Sequence, residues 1–231
     1  MAKQKILTEA ELNAEKERTR LFNHDDWLMT ILAQPELESI CPWQLFNHEL
    51  AWGFGPEYTH PWYNILLAYP KMIKYAPTPF PAEYLDVCDW AEILILHPQL
   101  KSKVPWKKLE WRRDRKCRIA WMKLLIRYPQ FAKYCDWSMF YHRSDSGTYN
   151  EWVRLLQVRP EFITYYNELR KRQSDYSVVT LIAPWEWAQI VAFRPEFLEY
   201  APTKYFTNID WLDIIDRQPQ LRPKRMRPKS R

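Results

Sequence analysis

The sequence contains very little glycine. Only three glycines, at positions 53, 55 and 147, occur among 231 residues, against eighteen prolines. A loop that wraps a phosphate with its backbone needs glycine, because glycine adopts positive φ and lets the chain approach the ligand closely. The composition therefore disfavours nucleotide-binding folds. The segment Gly53–Gly55 also lacks the third glycine and the preceding strand of a dinucleotide fingerprint, and it is predicted to be a loop.

Long apolar runs and paired cysteine motifs are also missing. No stretch of about 18 apolar residues occurs, and residues 1–20 are polar and charged without the apolar core of a signal peptide. We therefore expect a cytoplasmic protein without a membrane partner. The four cysteines form no Cys-x-x-Cys pair, so they are predicted to be reduced thiols: Cys41, Cys88, Cys117 and Cys135.

Patterns typical of catalysis or metal binding are weak. None of the five histidines forms His-x-x-x-His or His-Glu-x-x-His, and the spacing of Cys41, His48, Glu57 and His60 matches no usual zinc pattern. His142, Ser144 and Asp145 share one segment, which is predicted to be a turn. Asp25/Asp26 and the set Asp210/Asp213/Asp216 are interpreted as helix-start residues, and His97 as a junction residue. The sequence predicts no catalytic residue, no metal, no cofactor and no small-molecule substrate.

One interval recurs along the chain. A tryptophan is followed eight residues later by a proline seven times, where composition predicts about one chance occurrence. The tryptophans are 24 to 35 residues apart, a spacing typical of short helical repeats. We call each a Trp–Pro segment, and the pairs are Trp27/Pro35, Trp62/Pro70, Trp90/Pro98, Trp121/Pro129, Trp152/Pro160, Trp187/Pro195 and Trp211/Pro219.

The residues around each tryptophan predict a short amphipathic helix. In six segments the third and fourth residues after the tryptophan are apolar, which places them on one helical face with the ring. Predicted start signals include Asp25 and Asp26, a box of Asp89 with Glu92, and Asn208. The proline ends this helix and suits the first turn of a second, shorter one. A third short piece follows in several segments, as at Trp43, Trp106 and Trp137.

These features predict an all-α fold made of a single domain. Residues 1–24 form an N-terminal cap helix opened by Thr8 and Glu11, residues 25–221 form about seven stacked units, and residues 222–231 form a disordered basic tail. The units are predicted to stack as a curved solenoid, since no single unit can bury its apolar face alone. The tryptophans are accordingly interpreted as core and not as a ligand-binding box.

Residues 121–140, "WMKLLIRYPQFAKYCDWSMF", resemble a known kind of unit. Uncharacterised bacterial tandem-repeat proteins carry units that read Asp-Trp, Leu-Leu, Pro-x-Phe and Cys-Asp-Trp-Ser. Here Cys135–Ser138 matches the last element, and the resemblance extends more weakly over residues 25–221. It implies a repeat architecture and brings no catalytic residue with it.

The positive charge is concentrated in two places. The tail 222–231 carries six basic and no acidic residues, and residues 101–118 carry nine basic and two acidic residues. Such clustering is typical of a solvated helix face, of an acidic-protein contact or of a phosphate contact. We expect a partner-binding site at Lys107, Lys108, Trp111, Arg112, Arg113, Arg115, Lys116 and Arg118.

Two functional hypotheses follow from this surface. The first is a non-enzymatic scaffold that binds an acidic protein partner through the basic patch. The second is a nucleic-acid-binding protein, or a phage- or defence-related inhibitor, that uses residues 101–118 and the basic tail.

Overall fold

The computed structural model of the chain describes residues 7–47, 60–112, 114–141, 151–172 and 182–223. Within these ranges the chain is all-helical and contains no strand, as the sequence predicts. The fold divides into two compact units, Met1–Trp111 and Arg112–Arg231. Across the described ranges, every helix is too short or too polar to traverse a lipid bilayer.

Nine α-helices lie in the described ranges. Four belong to the first unit: α1 (Glu9–Arg18), α2 (His24–Ala33), α3 (Pro61–Ala68) and α4 (Val87–Leu96). Five belong to the second: α5 (Arg115–Arg127), α6 (Glu151–Val158), α7 (Ile163–Arg172), α8 (Pro184–Phe193) and α9 (Asn208–Arg217). Successive helices pack together within each unit, α2 on α3 on α4 and α5 on α6 on α8 on α9.

Side-chain caps start most of these helices. Asn23, Asp86 and Thr207 each accept hydrogen bonds from the first turn, and an aspartate three residues later accepts a bond from the backbone N–H of the cap residue. The reciprocal bonds satisfy amide donors that have no partner inside the helix. The predicted box of Asp89 with Glu92 is wrong by one turn, because Asp89 is the closing residue of a box opened by Asp86.

Each of the seven prolines opens a 3-10 helix directly after an α-helix. The ranges are Pro35–Ser39, Pro70–Tyr75, Pro98–Ser102, Pro129–Tyr134, Pro160–Phe162, Pro195–Glu199 and Pro219–Leu221. The residue before each proline has φ near −130° and ψ between 64° and 84°, outside the helical region. This is the restriction that a following proline imposes on its neighbour.

All seven tryptophans of the Trp–Pro segments are buried, with exposed fractions from 0% to 7%. The apolar residues three and four positions later are buried as well, for example Leu124 and Leu125 after Trp121. Each helix thus turns one apolar stripe inward, and the indole rings are among the largest buried side chains.

A second tryptophan packs between segments in each unit. In the first unit the Trp43 ring stacks on Trp62 and on Tyr75, at centroid distances of 5.7 and 4.5 Å. In the second unit the Trp137 ring stacks on Trp152 and Tyr165, at 5.4 and 4.3 Å. Trp43 and Trp137 both lie eight residues after a proline, so the same position performs the same packing in both units.

Hydrogen bonds also join neighbouring segments. The proline has no N–H, so the carbonyl three residues before it cannot receive the bond that would tighten the helix end. In five cases the residue just before the next segment's proline supplies a side-chain donor instead. The pairs are Tyr69 with the Leu32 carbonyl, His97 with Leu67, Arg159 with Ile126, Arg194 with Gln157, and Gln218 with Ala192. We call these side chains junction residues.

Candidate functional site

The basic segment 101–118 does not form one continuous helix. The 3-10 helix Pro98–Ser102 ends before it, residues 106–108 form a turn, and α5 starts only at Arg115 behind the cap Asp114. The basic residues are therefore not distributed around the circumference of a single helix. The unit boundary at Trp111 and Arg112 falls inside the segment, and the two parts are described separately.

In the first unit, the segment exposes four lysines on an anchored turn. Lys101, Lys103, Lys107 and Lys108 are exposed, while Val104 and Leu109 are 6% and 7% exposed. The Trp106 indole Nε1 donates to the Lys101 carbonyl at 3.0 Å, and the Lys108 amide donates to the Pro105 carbonyl at 2.8 Å. The exposed lysines therefore lie on a backbone that the buried side chains of Val104 and Leu109 hold in place. Trp111, which follows them in the sequence, is half-buried.

In the second unit, Arg112, Arg115 and Lys116 are exposed, and Arg113 lies outside the described residues. Arg115 and Lys116 occupy the first turn of α5, which contains no acidic residue. The amino end of a helix carries partial positive charge, so cations there are unfavourable by about 0.3 to 1 kcal/mol each. By contrast α1, α2, α4, α6, α8 and α9 all place acidic residues in the first turn.

Arg118 does not belong to an exposed surface. Its side chain is 6% exposed and its Nε lies 3.3 Å from a carboxylate oxygen of Glu151, itself 7% exposed. The pair joins α5 to the start of α6 inside the second unit. Arg118 is therefore a structural residue. Its prediction as a partner-binding residue is wrong, because a partner cannot reach its buried side chain.

A cleft that the sequence analysis missed lies beside the lysines of the first unit. It has a volume of about 270 Å³. Its lining combines the prolines of one loop with the start of the basic segment: Ile73, Pro77, Thr78, Pro79, Phe80, Ser102, Lys103, Val104 and Pro105. The run of alternating prolines at 77, 79 and 81 was the signal available in the sequence, since such a run cannot enter a helix. The cleft is mostly apolar, and Lys103 supplies the cation in its lining.

The other residues considered for chemistry have structural roles where they are described. Asp26 and Asp210 close the capping boxes of α2 and α9, and His97 contacts the Leu67 carbonyl as a junction residue. Burial raises the pKa of Cys41 to about 12, which keeps it a neutral thiol. Burial lowers the pKa of His60 to about 4, which keeps its ring neutral near pH 7.

Several predicted features lie outside the described residues. They are the glycine loop 53–55, His48 and Glu57, the turn with His142, Ser144 and Asp145, and the basic residues from position 224 onward. All four cysteines lie inside the described ranges and are free thiols.

No family model, curated protein or solved structure matches the chain.

Proposed function

We propose that this chain is a non-enzymatic helical-repeat scaffold that binds an acidic protein partner. Within each unit, the successive Trp–Pro segments stack as a short solenoid, since each segment buries an apolar stripe and five junction bonds link neighbouring segments. The partner binds the exposed basic residues Lys107, Lys108, Arg112, Arg115 and Lys116, with Arg113 continuing the run in sequence.

The position of Arg115 and Lys116 carries the proposal. Both are exposed on the first turn of α5, where the helix dipole disfavours a cation and where six other helices place acids. The helix dipole therefore opposes these two charges at that position. An acidic ligand would gain from them directly, because each contributes to attraction and to faster encounter.

The cleft beside Lys103 supports a protein partner over a bare polyanion. Its apolar lining, with Ile73, Phe80 and Val104, is suited to an apolar side chain. A partner that combines carboxylates with one apolar anchor can use the lysines and the cleft together. A phosphate backbone can use only the lysines.

A nucleic-acid partner is the second candidate, because the same exposed cations suit phosphate groups. Half-buried Trp111 lies among them in sequence, and indoles stack on unpaired bases. Nucleic-acid binding predicts an affinity for a short oligonucleotide that falls steeply as salt rises.

The test is affinity capture from the native host with and without nuclease treatment. The bait variants are Lys107→Glu/Lys108→Glu and Arg115→Glu/Lys116→Glu. A matched control is Lys123→Glu/Arg154→Glu, which reverses two exposed cations elsewhere in the second unit. We expect a specific acidic protein that persists after nuclease treatment, disappears with the bait variants and remains with the control.

Loss of all captured material after nuclease treatment would support the nucleic-acid alternative. Equal capture by the wild type and both bait variants would overturn the assignment of the basic segment as the binding surface. A flat oligonucleotide titration at low salt would eliminate the alternative.

A further inference from the structure

The second unit ends on a helix face that has no neighbour among the described residues. In α5, α6 and α8, the residue after the repeat tryptophan is buried: Met122 is 6% exposed, Val153 9% and Ala188 1%. The equivalent residue of α9, Leu212, is 58% exposed. Each of the first three helices is followed by another packed helix, and in the described ranges α9 is followed by none.

Among the described residues, the outward face of α9 is exposed. Ile209 is 71% exposed, and with Leu212, Asp213 and Asp216 it falls on one side of the helix at spacings of three and four residues. The opposite side is buried through Trp211, Ile214 and Ile215.

The same end lacks a junction bond. The carbonyl of Asp216 is equivalent to the carbonyls of Ile126, Gln157 and Ala192, which accept bonds from Arg159, Arg194 and Gln218. Pro219 deprives the Asp216 carbonyl of a backbone donor in the same way. No side chain in the described part of the chain donates a hydrogen bond to it.

The first unit carries the complementary half. Gln34 is the residue before Pro35 and so occupies the junction position, yet its side chain is exposed, whereas the other six residues at this position are half-buried. Among the described residues its side-chain amide makes no hydrogen bond, while its backbone N–H donates to the Thr30 carbonyl. Gln218, the same residue type at the same position, donates to the Ala192 carbonyl at 3.1 Å. The preceding helix α1 contributes no buried residue and does not cover this end as a packed helix would.

We propose that these two ends bind each other between copies of the chain. The α9 face with Ile209 and Leu212 packs on α2 of a second copy, and the Gln34 amide of that copy donates to the Asp216 carbonyl. A second copy is the occupant because the first and last segments carry the donor and the acceptor of a junction that the chain builds five times internally. The contact joins unlike surfaces, so copies add head to tail and the assembly either closes as a ring or grows as a filament. We expect growth beyond the dimer as the protein concentration rises.

Sedimentation velocity over a range of protein concentrations tests the proposal, and it is independent of the basic segment. The wild type is expected to form species larger than dimers as concentration rises. Leu212→Asp blocks one end by placing a charge in the apolar contact. Gln34→Glu blocks the other, because it is isosteric, lacks the donor and faces the negative end of α9. Each variant is expected to weaken association by about tenfold or more, the factor that corresponds to roughly 1.4 kcal/mol.

Mixing the two variants gives the sharpest result, because each retains one intact end. The mixture should form heterodimers and nothing larger. Leu96→Asp is the matched control, since Leu96 is 52% exposed on a helix of the first unit and belongs to neither end. A wild type that stays monomeric at every concentration, an equal loss with Leu96→Asp, or a variant mixture without dimers would each overturn the proposal.

Discussion

The Trp–Pro segments and the basic segment 101–118 use their side chains in opposite ways. In the Trp–Pro segments almost every conspicuous residue has a folding role, whether an indole in the core, a cap at a helix start or a donor at a junction. In the basic segment, Val104 and Leu109 anchor the backbone and the exposed lysines and arginines add nothing to the core. Conspicuous residues of the sequence therefore fall into two groups, those with a role in folding and those that are exposed and have no role in the core. The second group contains the candidate binding residues.

The largest expected effect comes from removing a core indole. Trp121 is fully buried, so Trp121→Ala should lower the free energy of unfolding by about 3 to 5 kcal/mol through lost burial and a new cavity. Trp185, 47% exposed on α8, is the control, and Trp185→Ala should cost less than about 1 kcal/mol. Chemical denaturation measures both. Equal losses for the two variants would contradict the division between core and surface.

The second largest loss of stability is expected from breaking the buried ion pair of Arg118 and Glu151. Arg118→Met leaves the Glu151 carboxylate buried without its partner, which should cost about 3 kcal/mol. The double variant Arg118→Met/Glu151→Met should recover most of that loss, because a well-packed apolar pair commonly replaces a buried ion pair at little cost. A double-mutant cycle by urea denaturation measures the coupling. If Arg118→Met alone were silent, Arg118 would belong with the exposed cations.

Local sequence patterns predict some of these features, and contacts between distant residues determine the others. The Trp–Pro interval, the apolar stripes and the proline stops are local signals, and from them the helices and the buried rings were predicted correctly. The burial of Arg118 was not predicted, because its partner Glu151 lies 33 residues away and only the packing of α6 on α5 brings them together. The junction bonds were also missed. Their donors are tyrosine, histidine, arginine and glutamine side chains. These residue types share the ability to donate a hydrogen bond, but they form no recognisable pattern in the sequence.

The junction bonds make a smaller prediction with an internal control. Gln218→Leu removes the donor to the Ala192 carbonyl, which should cost about 1 to 2 kcal/mol because a half-buried carbonyl loses its partner. Gln34→Leu, the same change at the same position of the first segment, should be nearly neutral at protein concentrations low enough to keep the chain monomeric. Thermal or urea melts compare the two. Matching losses would mean that the junction position matters through side-chain packing and not through the bond.

The smallest expected effect has the opposite sign. Arg115→Glu/Lys116→Glu replaces cations on the first turn of α5 with the acids that this position favours, so the variant should be more stable by a few tenths to about 1 kcal/mol. The same change should abolish binding of the acidic partner. Lys123→Glu, an exposed position near the middle of α5, should change neither property by a measurable amount. A gain in stability accompanied by a loss of binding would mean that the chain retains these charges for its partner at the expense of its own fold. A loss of stability would instead place Arg115 and Lys116 among the residues that build the molecule.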